Sequence, residues 1–156
     1  MVTGAAPAGA ARVLELVRGA APAGPGELDK LFGELEPVPA EFMLGTWAGG
    51  VFDQADAMAA MLVRMRWYGK RFHDAEHVEP LLCRGEDGAL TSFTGMGLAR
   101  LREMAHRGVV SAAMVYDTQP IIDHFRRVSG DVVLGAMDAK DAPDVLYFHL
   151  TRAAEG

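Results

Sequence analysis

The sequence predicts a mainly β chain: an antiparallel up-and-down β-barrel with N-terminal helices and one helix inserted after the first strand. Three observations carry this reading. From about residue 67 to the end, short strand-like segments follow one another, joined by short turn signals. The apolar spacing is helical before that point and alternating after it. The stretch Gly45-Thr46-Trp47-Ala48-Gly49 sets a large aromatic among small residues on the first strand. There a Trp can plug one end of a small barrel, and glycines let the strand bend and the backbone pass closely.

Taken in order, residues 1–9 are rich in Ala, Gly and Pro and read as disordered. Residues 10–39 form an N-terminal helical segment. Val13, Leu14, Leu16 and Val17 mark one helix over 10–19, and Leu28, Leu31, Phe32 and Leu35 a second over 27–36. The stretch 21–26 (Ala-Pro-Ala-Gly-Pro-Gly) separates them, and Pro37 and Pro39 stop the second. The barrel domain spans 40–154. Within it, Met58, Met61, Leu62 and Met65 share one face of a helix over 55–66. Strands follow at 67–73, 78–84, 89–94, 98–106, 109–116, 120–128, 131–138 and 145–152. Turn signals such as Glu86-Asp87-Gly88, Arg107-Gly108 and Ser129-Gly130 separate them. With the Trp47 strand this makes about eight or nine strands, enough to close a barrel. An open sheet packed against the three helices is the alternative arrangement.

The 156 residues suffice for one domain with a real core, and half of them are apolar. A net charge of −6 argues against nucleic acid as a partner, since phosphate binding needs a basic surface. No run approaches the ~18 apolar residues of a membrane span. Cys83 is the single cysteine, which fits a reducing, cytoplasmic setting and a buried, inert thiol.

Trp47 in its Gly-x-Trp setting resembles the floor Trp of the lipocalin and wider calycin barrels. That resemblance implies an Arg from the last strand packed over the ring, and Arg152 stands at the expected place. If Arg152 meets Trp47, then Leu146, Phe148 and Leu150 also face the interior and Tyr147, His149 and Thr151 face out. The densest functional candidate is the segment 117–128. Alternation puts Asp123, Phe125 and Arg127 on one face and Ile122, His124, Arg126 and Val128 on the other. Asp123 or His124 could act as an acid/base, with Tyr116 as a hydrogen-bond donor. Phe125 and Arg126 would contribute to binding. In Trp67-Tyr68-Gly69-Lys70-Arg71-Phe72, aromatics alternate with cations. Lys70 beside Tyr68 and Phe72 could bind a carboxylate or enolate at the barrel mouth, with Trp67 on the opposite face. A solvated edge with snorkelling cations is the alternative. His73 and His77 have an i, i+4 spacing, but the segment is not convincingly helical and no metal is expected. His106, beside a turn, reads as surface.

The ordered set of motifs resembles a bacterial family of unknown function named for its GXWXG motif. Gly45–Gly49 and the aromatic–basic run 67–72 carry the first half of the likeness. Residues 107–117, 120–128 and 134–138 carry the second, which is similar to the domain of unknown function usually joined to it. The resemblance covers roughly residues 40–152. It implies a small lipocalin-like β-barrel and no agreed activity.

The expected function is therefore binding of a hydrophobic or amphipathic small molecule in the barrel cavity. A cyclase or isomerase acting on a polyketide or terpenoid in the same cup is the alternative, and haem binding through His124 a further one. No cofactor is otherwise expected, and a homodimer is an allowed assembly.

Overall fold

Two short helices come first, α1 (Ala8–Val17) and α2 (Glu27–Glu34). The computed structural model describes residues 8–19, 21–52 and 56–154. The disordered stretch expected over 1–9 thus falls outside the described residues for 1–7, whereas Ala8 and Gly9 open α1. Val13 and Leu16 of α1 and Leu31 and Phe32 of α2 are buried in one apolar cluster with Val128, Val132, Leu134 and Ala136 of the barrel. The helices therefore cover the outer face of the sheet. Arg12 ties them together through a two-pronged ion pair with Glu27, at 2.6 and 3.1 Å.

The strands are β1 (Gly45–Val51), β2 (Trp67–Asp74), β3 (His77–Arg84), β4 (Leu90–Ser92), β5 (Ala99–His106), β6 (Val109–Tyr116), β7 (Ile121–Arg127), β8 (Val132–Ala139) and β9 (Leu146–Arg152). Neighbouring strands run antiparallel in the order β2-β1-β9-β8-β7-β6-β5-β3, and β2 also pairs with β3. Eight strands thus close the ring, with β4 an extra ribbon beside β3. The closure is uneven. β3 meets β5 at a single pair, Val78 with Ala99, before the two strands diverge. Helix α3 (Ala57–Arg64) is inserted between β1 and β2. Its N-terminus is capped by the Asp56 carboxylate, which accepts from the Met58 and Ala59 amides.

One end of the barrel is sealed. The Trp47 indole is fully buried, and its Nε1 donates to the Met43 carbonyl at 2.8 Å. The Arg152 guanidinium lies 4.3 Å from the ring centroid, on the strand position paired with Trp47. It also donates to the Phe42 carbonyl. The chain entering β1 crosses this end. The Val38 amide donates to Ser111 Oγ, which in turn donates to the Phe125 carbonyl, and the Ala112 amide donates back to Val38. As expected from alternation, Leu146, Phe148 and Leu150 face the interior with Trp47. Among the described residues no helix is long and apolar enough to cross a membrane.

Candidate functional site

The open end of the barrel holds a small cavity of about 20 Å³, space for roughly one water molecule. Its walls are almost wholly apolar. Met58, Met61 and Leu62 come from α3, Met96 from the segment after β4, and Met137, Leu146 and Phe148 from β8 and β9. Into this lining project Lys70 and Asp123, with Tyr116 alongside. Lys70 is 3% exposed and Asp123 1%. Lys70 Nζ stands 3.2 Å from Asp123 Oδ2 and donates to the Pro80 carbonyl at 3.3 Å. Three aromatic rings surround the ammonium: Phe148 at 5.2 Å, Trp67 at 5.4 Å and Tyr116 at 6.0 Å.

Two irregularities of the sheet aim these groups inward. Between Trp67 and Gly69 on β2 there is one residue more than on the facing stretch of β3, which bulges the strand. The bulge turns both Trp67 and Lys70 to the interior, although strict alternation sets them on opposite faces. Gly69 makes it feasible, because a Cβ there would overlap the Trp47 carbonyl of β1. A second bulge, on β3 between Glu79 and Leu82, contains Pro80. Pro80 has no amide hydrogen to leave unpaired, and its carbonyl accepts from both Lys70 and the Trp67 indole. The second glycine of the opening motif has a matching role. A Cβ on Gly49 would meet the Trp67 ring, so the missing side chain seats that indole against β1.

Burial shifts both charged groups toward neutrality. It pushes the Lys70 ammonium down and the Asp123 carboxyl up, each opposed by the other's charge. It also raises the Tyr116 phenol well above its ordinary value, with the nearby Asp123 adding to the rise. Asp123 Oδ1 is buried and has no hydrogen-bond partner. An unpaired acceptor beside an amine is a ready docking point for a ligand hydroxyl or amine hydrogen.

The remaining sequence-derived candidates divide by face. Phe125 is buried in the interior with Phe72 and Phe148. Tyr68 points out of the barrel, where Arg84 lies over its ring at 5.0 Å. This corrects its expected place beside Lys70, since the bulge separates the two. Arg126 is also on the outer face. It is 2% exposed because α2 covers it; it donates to the Phe32 and Leu35 carbonyls and stacks on the Phe32 ring at 4.6 Å. It closes the C-terminus of α2 and does not reach the cavity. His124 lies beside it, its ring parallel to that of His106 at 3.8 Å and its Nε2 3.9 Å from Asp138. His106, expected at the surface, is thus half-buried in this stack. Cys83 is half-buried, and burial raises its thiol pKa.

Haem does not fit this arrangement. His124 lies outside the barrel, and the described residues lining the cavity include no histidine to ligate the iron. His73 and His77 do come together, stacked at 4.4 Å beside Glu79, but across the β2–β3 turn and not along a helix. Arg71, 3.6 Å from that carboxylate, competes with any metal there.

His149 faces outward but is covered. Its ring meets Phe52 edge-on at 4.9 Å and its Nδ1 is buried without a partner. Burial pushes the pKa of both His149 and His124 down to about 4. A folded-state pKa below the unfolded value of 6.5 means that the stabilising neutral form is fully present above pH 6.5 and is lost as pH falls toward 4. The melting temperature is therefore expected to fall between pH 6.5 and 4. His149→Phe should flatten part of that slope in calorimetric scans, and an unchanged slope would contradict the assignment.

Residues 30–88 match a family model described as GXWXG protein, and residues 97–152 match the domain of unknown function DUF4334. No curated protein matches the chain. A crystal structure of a protein from Thermomonospora curvata is similar at 58% sequence identity and a TM-score of 0.90, over 93% of this chain and 98% of that one. With both segments matched in order and a relative this similar along nearly its whole length, the chain belongs to the family that joins the GXWXG and DUF4334 domains.

Proposed function

We propose that the barrel binds an apolar small molecule carrying one polar group, its polar end against Lys70 and Asp123. The observation that supports this best is the buried pair itself. Two opposite charges inside an apolar wall cost stability that ordinary core residues would not. One carboxylate oxygen is left without a partner as well. The methionines at the mouth suit the role. Met58, Met61, Met96 and Met137 are unbranched and re-pack easily, so the small resting cavity can widen around a guest.

The test is thermal stabilisation of the full chain by hexanol and hexanoic acid, with Met61→Trp as the filled-cavity control. A ligand at a hundredfold its dissociation constant stabilises by about 2.7 kcal/mol. For a chain of this size that raises the melting temperature by about 5–10 °C. The Trp variant should not respond. Equal responses from the two proteins, or none from the parent, would remove the reading.

Acid–base chemistry on the same guest is the second reading, and it includes the isomerisation or cyclisation of a polyketide or terpenoid. It is favoured by a carboxyl pushed up and an amine pushed down at 3.2 Å from one another.

A further inference from the structure

We propose that Lys70 captures an apolar aldehyde or ketone as a Schiff base, with Asp123 carrying the protons. This rests on the binding role of the cavity and names the functional group its guest would present.

The geometry carries the idea. Lys70 is the lone amine among the described residues lining the cavity, and its reach is fixed by the Pro80 carbonyl and the Asp123 carboxylate. Water has little room there, which favours imine over its hydrolysis. The nearest acid/base is 3.2 Å from the nitrogen, and its second oxygen is free to follow the proton. The desolvated site also raises the share of neutral, nucleophilic amine.

The steps balance without a redox partner. Lys70 passes a proton to Asp123, and the neutral amine attacks the carbonyl carbon. The C–N bond forms as the C–O π pair moves to oxygen, which takes the proton from Asp123. Asp123 then accepts a proton from nitrogen and returns one to the hydroxyl, which leaves as water while the C=N bond forms. The product is a protonated imine beside a carboxylate, the same charge pair the site began with. The three surrounding rings then face an iminium in place of an ammonium.

The experiment incubates the full chain with hexanal, reduces with borohydride and maps the modified peptide by mass spectrometry. The chain has three lysines, and the exposed Lys30 and Lys140 serve as internal controls. The expected result is one hexyl group, on Lys70. Lys70→Arg, which keeps the charge, should abolish that label. Asp123→Asn should slow capture by about 100-fold. Labelling of Lys30 and Lys140 without Lys70 overturns the proposal, as does recovery of the unmodified chain. If hexanol still stabilises the protein in that event, the binding role stands and only the covalent step falls. If neither compound acts, both fall.

Discussion

Asp123→Leu is expected to cost about 3–5 kcal/mol, whereas the double variant Lys70→Met/Asp123→Leu should be at least as stable as the parent. The single change leaves an ammonium in an apolar cavity with no counter-charge. Its remaining support would be the Pro80 carbonyl and three ring faces. Lys70→Met leaves the mirror case, a lone Asp123 carboxyl that burial pushes up toward its neutral form, as it pushes the lone Lys70 amine down toward its own. Removing both charges deletes the desolvation cost and fills the space with apolar atoms. Urea unfolding of the four proteins measures this as a double-mutant cycle. A coupling energy below about 0.5 kcal/mol would mean that the two residues are independent. The stable double variant should also lose the melting-temperature response to hexanoic acid. That combination would place the pair among residues kept at a cost in stability.

Gly69→Ala is expected to be as damaging from the addition of a single methyl group. The new Cβ would overlap the backbone carbonyl of Trp47, and no flexible side chain is there to move aside. Either β1 separates from β2 or the bulge is lost, and with the bulge goes the inward aim of Lys70. A destabilisation of about 4 kcal/mol or more is expected, large among single substitutions. In a domain with total stability of about 5–15 kcal/mol, much of the protein would then be insoluble or partly unfolded. A soluble variant with the parent's urea midpoint would show that the two strands are free to move apart.

Periodicity carried the sequence reading a long way and failed at identifiable residues. Along β9 alternation placed Phe148 and Leu150 on the interior side, because the pairing of Trp47 with Arg152 supplied the inward direction; along β7 it separated Asp123 and Phe125 from His124 and Arg126 without deciding which face was the inner one. Alternation could not place Trp67 and Lys70 on one face, because a bulge breaks the period. Its signals were nonetheless in the sequence: Gly69 inside a strand, and Pro80 inside the strand facing it. Arg126 and His124 were set opposite Asp123 by the same logic. That their outward face is roofed by α1 and α2 depends on tertiary packing, which no local pattern encodes. A Lys within an aromatic run also has two ordinary fates, a solvated edge or a buried pair. Only the distance to Asp123, more than fifty residues along the chain, decides between them.

The single-pair seam between β3 and β5 bears on how fast a guest could come and go. Both flanking segments contribute to the cavity wall, through Leu81 and Met96, so parting the seam exposes the cavity without disturbing the long ladders of β5 through β9. Such an opening is local and needs far less free energy than global unfolding. Exchange of a bound molecule would then have a route beside the methionine-lined mouth, with a rate set by the opening of the seam. Two guests of equal affinity could differ widely in residence time if one is too bulky to pass it.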